Sequence, residues 1–432
     1  MMASLETTDG CEDRQQPQIY AKNSMDRFGD DLCQLLLSYL TFEDRFHLEC
    51  VSKQFRRTVF ESIVCIEIND RFMRQILNTT ITETLATITI KCPKIETIDC
   101  RRMRGQYEVH IPEVLTTFRH NFRHLRHIYC NLLQNSGQTM PTIGPLVTRI
   151  DVMVDNIDTQ SLIHCHRLSH LSLYRLSQVF DTSGQLMAKN LNKFELHFYS
   201  ADYYHRLSSF VTHNQSLKCL NVYDNRCVSE ESLTGLSEQL SRLPQLWELR
   251  LALDITGAQT SFTDSLRTIG VNCKQLQRLS LQLSHTDSHG FNPKTLDSLR
   301  FCHRLKRLEL RIYADIDEIS LDPLRHCNRL THLELDLPRM TANVLKDLHI
   351  KCPRLQYLYI ESSNHFIDTN VKTQLSHISR LPALQMLVIQ CNPCTDISDN
   401  DFNDLLLRSP KLKTIKAYQS WNVWKFYCRQ NN

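Results

Sequence analysis

From about residue 60 onward, apolar and polar positions recur in a fixed order. The stretches HCHRLSHLSL (164–173), NCKQLQRLSL (272–281), FCHRLKRLEL (301–310), HCNRLTHLEL (326–335) and, within LHIKCPRLQYLYI (348–360), its last part each read Cys, two residues, Leu, two residues, Leu, one residue, Leu or Ile. The closing alternation has period two, which predicts a short strand with its apolar side chains on one face. The segments before the cysteine show helical spacing instead: Leu85, Ile88 and Ile90 before Cys92, Leu266, Ile269 and Val271 before Cys273, and Leu345, Leu348 and Ile350 before Cys352. Each unit is therefore predicted as helix, turn and strand.

The first apolar position of each unit can be followed along the chain as Ile63, Ile95, Leu125, Val147, Leu168, Leu191, Leu217, Leu246, Leu276, Leu305, Leu330, Leu355, Leu384 and Leu412, fourteen starts spaced 21 to 32 residues apart. This resembles the leucine-rich repeat family, whose period is about 20–29 residues, and the cysteine at one register (Cys92, Cys165, Cys273, Cys302, Cys327, Cys352) resembles its cysteine-containing subtype. One such unit cannot bury its own leucines, whereas stacked units share a core. The fold class expected is an α/β solenoid, a curved horseshoe of about 13–14 repeats over 63–419 with strands on the concave side and helices outside. Because several units lack the cysteine, a packing role is expected for it. The final segment, 420–432, holds Trp421, Trp424, Phe426 and Tyr427, read as a C-terminal cap or as a tail that shapes a ligand pocket.

The N-terminal region has a different pattern. Residues 1–24 are polar and read as a disordered tail. In 25–62, Leu32, Leu35, Leu36, Tyr39 and Leu40 fall on one helical stripe with Asp30 and Asp31 at its start, where the helix dipole favours acids. Thr41 and Asp44 have capping-box spacing and open a second helix with Phe46, Leu48 and Val51; Lys53 to Phe60 makes a third with Phe55, Val59 and Phe60. Three helices in under forty residues make a thin core, which a partner surface would complete.

This segment resembles the F-box family. The resemblance rests on Phe28-Gly29, Asp30-Asp31, Leu36-Leu37-Ser38-Tyr39-Leu40, Glu43-Asp44-Arg45 and Val51-Ser52-Lys53-Gln54-Phe55, with Gly29 where the family has Pro, Ser52 for Cys and Phe55 for Trp. An F-box followed by leucine-rich repeats implies a substrate receptor of an SCF-type cullin–RING ubiquitin ligase. It implies that Phe28, Leu32, Leu36, Tyr39, Leu40, Phe46, Val51 and Phe55 dock on a Skp-type adaptor, which bridges to cullin and RING subunits. The repeats would then hold an unknown protein substrate for ubiquitination. The alternative is a repeat scaffold whose divergent F-box does not engage the ligase.

Composition narrows the partners. Fifty Lys and Arg against forty-seven Asp and Glu give a net charge of +3, so no nucleic-acid partner is expected. Ten glycines in 432 residues leave little material for phosphate-cradling loops. The opening MMASLETTDGCEDRQQPQ has no apolar stretch and no basic lead, so no secretion signal is expected. Together with seventeen cysteines, an odd number without short framework spacings, this suggests reduced thiols and a cytoplasmic or nuclear location. The longest apolar run, LCQLLLSYL, is too short for a membrane span.

Candidate substrate contacts are the residues between and just after the strand leucines: Tyr174, Arg175, Tyr223, Arg250, Arg278, Arg307, Glu309, Arg311, Glu334, Asp336, Tyr357, Tyr359 and Tyr418, joined by His170, Ser172, Asn221, Asp224, Glu248, His332, Glu361 and Lys416. Such a mixture of Arg, Tyr and acids suits protein recognition. With charges of both signs, neither a phospho-motif nor nucleic acid is favoured. FRHNFRHLRH (118–127) is either a basic patch or a solvated helix face leading into the strand at Leu125.

Cys391-Asn-Pro-Cys394 lacks a second ligand pair, His164-Cys165-His166 sits in the repeat register, and no nucleotide, hydrolase or metalloprotease motif occurs. No metal, no cofactor and no catalytic residue are expected, and the chain is read as a non-enzyme.

Overall fold

The computed structural model describes residues 30–51, 53–77, 81–103, 107, 110–131, 137, 139–151, 159–198, 204–285, 291–314, 319–338, 342–362, 371–391, 397–420 and 423–428. Packing divides the chain into two compact units, the first ending at Ile128 and the second beginning at Tyr129. The N-terminal tail and Phe28 lie outside the described residues, as does Cys394.

The first unit opens with three helices, α1 (Asp30–Ser38), α2 (Phe42–His47) and α3 (Lys53–Glu61). The capping signal at Thr41 is real: the Asp44 amide donates to Thr41 Oγ1 at 3.2 Å and the Thr41 hydroxyl donates to Asp44 Oδ2 at 2.7 Å. Helix α2 is shorter than its apolar pattern suggested, so Leu48 and Val51 lie beyond its end. Arg45 reaches back from α2 to donate to the Leu37 carbonyl at 2.8 Å, satisfying one of the acceptors that a helix C-terminus leaves open. Helix α1 packs on α3; Cys33 and Leu37, one turn apart, are buried, as are Thr58, Val59 and Phe60. Strand β1 (Cys65–Glu67) pairs in parallel with β2 (Thr97–Asp99), separated by α4 (Asp70–Leu77) and α5 (Ile81–Lys91); α6 (Ile111–Asn121) then leads to β3 (His127–Cys130).

The second unit is a parallel α/β solenoid. Its strands are β4 (Val147–Asp151), β5 (His170–Arg175), β6 (Lys193–Phe198), β7 (Cys219–Cys227), β8 (Glu248–Asp254), β9 (Arg278–Ser284), β10 (Arg307–Tyr313), β11 (His332–Asp336), β12 (Tyr357–Ser362), β13 (Met386–Cys391) and β14 (Thr414–Ser420). Each pairs in parallel with the next. One row of aligned residues runs Leu249, Leu279, Leu308, Leu333, Leu358, Leu387 and Ile415, all buried. Burying a leucine fully stabilises by roughly 1.5–3 kcal/mol, so this row and its neighbours dominate the unit's core. The segment read as a cap or tail contains β15 (Val423–Cys428), which runs antiparallel to β14 and ends the parallel order.

All fourteen predicted starts are buried, and in each case the apolar residue three positions on lies in a strand. The Cys-x-x-Leu spacing has a local cause. The leucine amide donates to the cysteine carbonyl three residues back, as in Leu276 to Cys273 at 3.0 Å and Leu305 to Cys302 at 3.1 Å, which closes a tight turn between helix and strand. The residue after each such leucine then links the repeats. The Trp247 carbonyl, for example, accepts from the amides of both Gln277 and Arg278 at 2.8 and 2.9 Å, and the Gln277 carbonyl accepts likewise from Lys306 and Arg307.

The cysteine position itself is dry throughout but holds side chains of very different size. Phe60, Cys92, Phe122, Gly144, Cys165, Ala188, Asn214, Leu243, Cys273, Cys302, Cys327, Cys352, Leu381 and Ser409 occupy it in successive units. Thiols there donate to carbonyls of the preceding repeat, Cys273 to Leu240 and Cys327 to Leu299, both at 3.5 Å. Asn214, fully buried, makes the same link with three bonds: it donates to the Ala188 and Phe210 carbonyls and accepts from the Leu191 amide. At Gly144 an added Cβ would lie 2.7 Å from the His164 carbonyl oxygen, so glycine is needed for close approach.

The helical pattern needed one correction. Seven and four residues before the cysteine, Leu85, Ile88, Leu266, Ile269, Leu345 and Leu348 are buried as expected. The position two before it, Ile90, Val271 and Ile350, is exposed. At about 100° per residue that position points away from the one two residues earlier.

Candidate functional site

Two surfaces carry the candidate contacts. On the first, α1 turns its leucines in both directions. Leu32, Leu35, Leu36 and Tyr39 are 40%, 54%, 40% and 81% exposed, while Cys33 and Leu37 face the helical core. Leu48 and Val51, just after α2, are exposed as well, and Leu40 is half-buried. Six large apolar side chains thus meet water within twenty residues, an arrangement that marks interaction surfaces more often than solitary exposed leucines do. Phe46 and Phe55 fall in α2 and α3; their side chains are not among the described groups. Leu35 and Leu48 are additions to the expected set, Leu48 exposed because α2 ends before it.

The second surface is the side of the second unit's sheet opposite the leucine rows. Three rows of outward residues cross it in register. One runs His170, Lys193, Cys219, Glu248, Arg278, Arg307, His332 and Tyr357; the next runs Ser172, Glu195, Asn221, Arg250, Ser280, Glu309, Glu334 and Tyr359. The third includes Tyr223, Arg311, Asp336, Glu361 and Tyr418. Tyr174, Tyr223, Arg250, Arg278, Arg307, Glu309, Arg311, Glu334, Asp336, Tyr357, Tyr359 and Tyr418 therefore share this side.

Arg175 and Asp224 do not. Arg175 pairs with Phe198 and Asp224 with Leu253, the register that points inward farther along the sheet. Arg175 is exposed only because β5 ends there, its amide donating to Gln178 Oε1 at the start of a 3₁₀ turn. Asp224 is buried, its carboxylate accepting from the amide and side chain of Arg226. Reading residues "just after the leucines" as one class mixes the two parities of a strand.

Ion pairs knit the charged rows. Glu248 accepts from Arg250 Nε at 3.2 Å and lies 3.5 Å from Arg278 Nη1; Arg307 pairs with Glu334, and Arg311 with Glu309 at 2.7 Å. The guanidinium of Arg278 also lies 4.6 Å from the centre of the Trp247 ring. Farther on, the Tyr313 hydroxyl donates to Asp336, the Tyr359 hydroxyl lies 2.7 Å from Glu361 Oε2, and Gln390 donates to Glu361 at 2.9 Å. Burial, and after it the charge of Glu361, pushes the Asp336 carboxyl above its usual value. The imidazoles of His170 and His332 are pushed down by burial and then by Arg149 and Arg307 respectively. Aromatic rings form a second cluster: Tyr174, His197 and Tyr223 follow one another across β5, β6 and β7 with centres 5.5 and 5.2 Å apart, and His332 stacks on Tyr357.

The sequence reading missed Trp247, Glu195, His197 and Ser280. Glu195 and His197 were hidden by the sparse leucines of NKFELHF; the alternation Phe194, Leu196 could have revealed them. Trp247 sits directly after a start leucine, a position that reading did not consider.

Chemistry is sparse. The register cysteines are buried; burial pushes the thiols of Cys92, Cys165, Cys302, Cys327 and Cys352 up to about 12 and that of Cys273 to about 11. Among the described residues no group of three or more His, Cys, Asp or Glu is placed to hold a metal, and no helix is long and apolar enough to cross a membrane. In FRHNFRHLRH, Arg119, His120, Arg123 and His124 are exposed around the end of α6 while Phe122 and Leu125 are buried.

No protein-family model matches the chain, and no curated protein does. Among solved structures, a chain of "Crystal structure of Rad7 and Elc1 complex in yeast" is similar at 12% identity and a TM-score of 0.44, over 90% of this chain and 93% of that one. A likeness at that level decides nothing about function.

Proposed function

We propose that this chain is the substrate-recognition subunit of an SCF-type ubiquitin ligase, with α1–α3 as an F-box that docks on a Skp-type adaptor. The observation that carries the proposal is the exposed row Leu32, Leu35, Leu36 and Tyr39 on a helix whose opposite face, Cys33 and Leu37, already supplies its core. A surface of that kind gains by being covered, and two of its residues, Leu36 and Tyr39, belong to the segment on which the F-box resemblance rests.

In this role the chain does no covalent chemistry. It binds adaptor and substrate at separate surfaces and raises the effective concentration of substrate lysines near a ubiquitin-loaded enzyme held by the cullin and RING subunits. The polar, aromatic side of the second unit's sheet is the substrate surface, rich in the Arg and Tyr that anchor protein interfaces. The work would be done in the cytoplasm, the nucleus or both, where such ligases operate and where the thiols stay reduced.

Capture of purified adaptor tests this. Wild type is expected to bind, and Leu36→Asp, which would bury an unpaired carboxylate at the interface, to lose on the order of a hundredfold or more in affinity while keeping its thermal unfolding transition. Failure of the wild type to bind any Skp-type adaptor would leave a repeat scaffold outside the ligase.

A further inference from the structure

On the sheet surface of the second unit, acids and bases are equal partners in sequence but not in space. The side chains of Arg250, Arg278, Arg307 and Arg311 are 43%, 49%, 42% and 41% exposed, whereas those of Glu248, Glu309 and Glu334, which pair with them, are 14%, 11% and 15% exposed. The carboxylates sit at the level of the sheet and the guanidiniums stand above them. A partner approaching this side meets cations first.

Between them the surface is notched. In the row Arg250, Ser280, Glu309, the middle residue is small, and a shallow recess of about 20 Å³, open to solvent and roomy enough for about one water, is lined by Glu248, Arg250, Arg278, Ser280, Arg307 and Glu309. The Ser280 hydroxyl makes no hydrogen bond among the described residues. Each guanidinium is a planar fork with five N–H donors, of which the recessed carboxylates occupy one edge, so donors remain for a ligand. Glu248 and Glu334, and Trp247 beneath Arg278, hold the forks in place before anything binds.

We propose that this notch receives side-chain carboxylates from an acidic, Asp- and Glu-rich segment of a protein partner, with Arg250, Arg278 and Arg307 as the clamp and the Ser280 hydroxyl at its floor. Charge complementarity selects this occupant. Among the lining residues, Arg250, Arg278 and Arg307 against Glu248 and Glu309 leave a local charge near +1, which suits singly charged groups arriving one at a time; a phosphate dianion would bring twice the charge against Glu248 and Glu309. The inference deepens the receptor reading by naming the class of substrate, and rests on that reading for the consequence of binding.

The test uses the full-length chain and pools of short fluorescent peptides in which alternate positions are fixed as Asp, Asn, Lys or phosphoserine and the others randomised. Fluorescence anisotropy is expected to show the Asp pool binding about tenfold or more tighter than the Asn pool at low salt, with the advantage shrinking as salt rises. Arg278→Ala, which shortens the clamp, and Ser280→Leu, which fills the notch and keeps every charge, should each lower Asp-pool binding about tenfold without moving the unfolding transition. Equal binding of the Asp and Asn pools, a phosphoserine pool that binds best, or indifference to both substitutions would overturn the inference. Adaptor capture is read on the same preparations. Its loss in wild type with acidic-peptide binding intact would sink the receptor reading alone, and the converse would sink only the notch.

Discussion

Helix α1 and strand β10 use leucine in opposite ways. In β10, Leu308, Leu310 and Ile312 are buried and Arg307, Arg311 and Tyr313 face out; in α1, two side chains suffice for the core and four apolar ones face water. The repeats bury their own apolar surface because each strand is covered by the next. The helical segment has no such neighbour for its outer face among the described residues of its unit. A repeat is finished by its neighbours, whereas the outer face of α1 is left uncovered by the described residues of its unit.

Substitution tests that contrast most directly. Leu308→Ala should cost about 2–5 kcal/mol in chemical unfolding, whereas Leu35→Ala should change stability by no more than about 0.5 kcal/mol. A large loss at Leu35 would mean that α1's outer face is already packed.

Thiol chemistry gives the same contrast as a rate. Cys50, after α2, is exposed, while Cys302 is buried with its thiol pushed up to about 12, a value that leaves only ~10⁻⁵ of it ionised at pH 7. Iodoacetamide followed by mass spectrometry should label Cys50 in the native protein and reach Cys302 only after unfolding.

Close approach between repeats comes next. A Cβ on Gly270 would sit 2.9 Å from Phe301 Cβ and 3.1 Å from Cys302 Sγ, so Gly270→Val should destabilise by about 1–3 kcal/mol, seen as a lowered unfolding midpoint.

The smallest effect concerns the sheet's polar side. Because the Asp336 carboxyl is raised in the folded state, the folded chain holds its proton longer than the unfolded one does, and stability falls as pH climbs from the unfolded value, about 3.9, through the folded one. Asp336→Asn should therefore be more stable than wild type at neutral pH and equal to it at pH 3, as measured by thermal melts across that range. A gap that stayed constant with pH would remove titration as its cause.

Much of the repeat region was readable from the sequence alone. The positions from Ile63 to Leu412 predict every strand from β1 to β14, and the cysteine register marks the turns, because a period-two alternation and a tight turn are local properties written in consecutive residues. The same reading erred where a position's fate depends on what lies across from it. Ile350 looks as apolar as Leu348 yet faces water, and Arg175 follows Tyr174 yet leaves the face that Tyr174 occupies.

The candidate site was legible as a list of residues, not as a surface. Arg250, Arg278 and Arg307 are spaced about one repeat apart, and no stretch of sequence shows that they rise above Glu248, Glu309 and Glu334 or that Ser280 opens a notch among them. Alternation and helical period are set by the backbone of a single element, so the sequence determined the elements and their order. Depth, exposure and pairing are set by which strands lie side by side, and only the tertiary structure decided those.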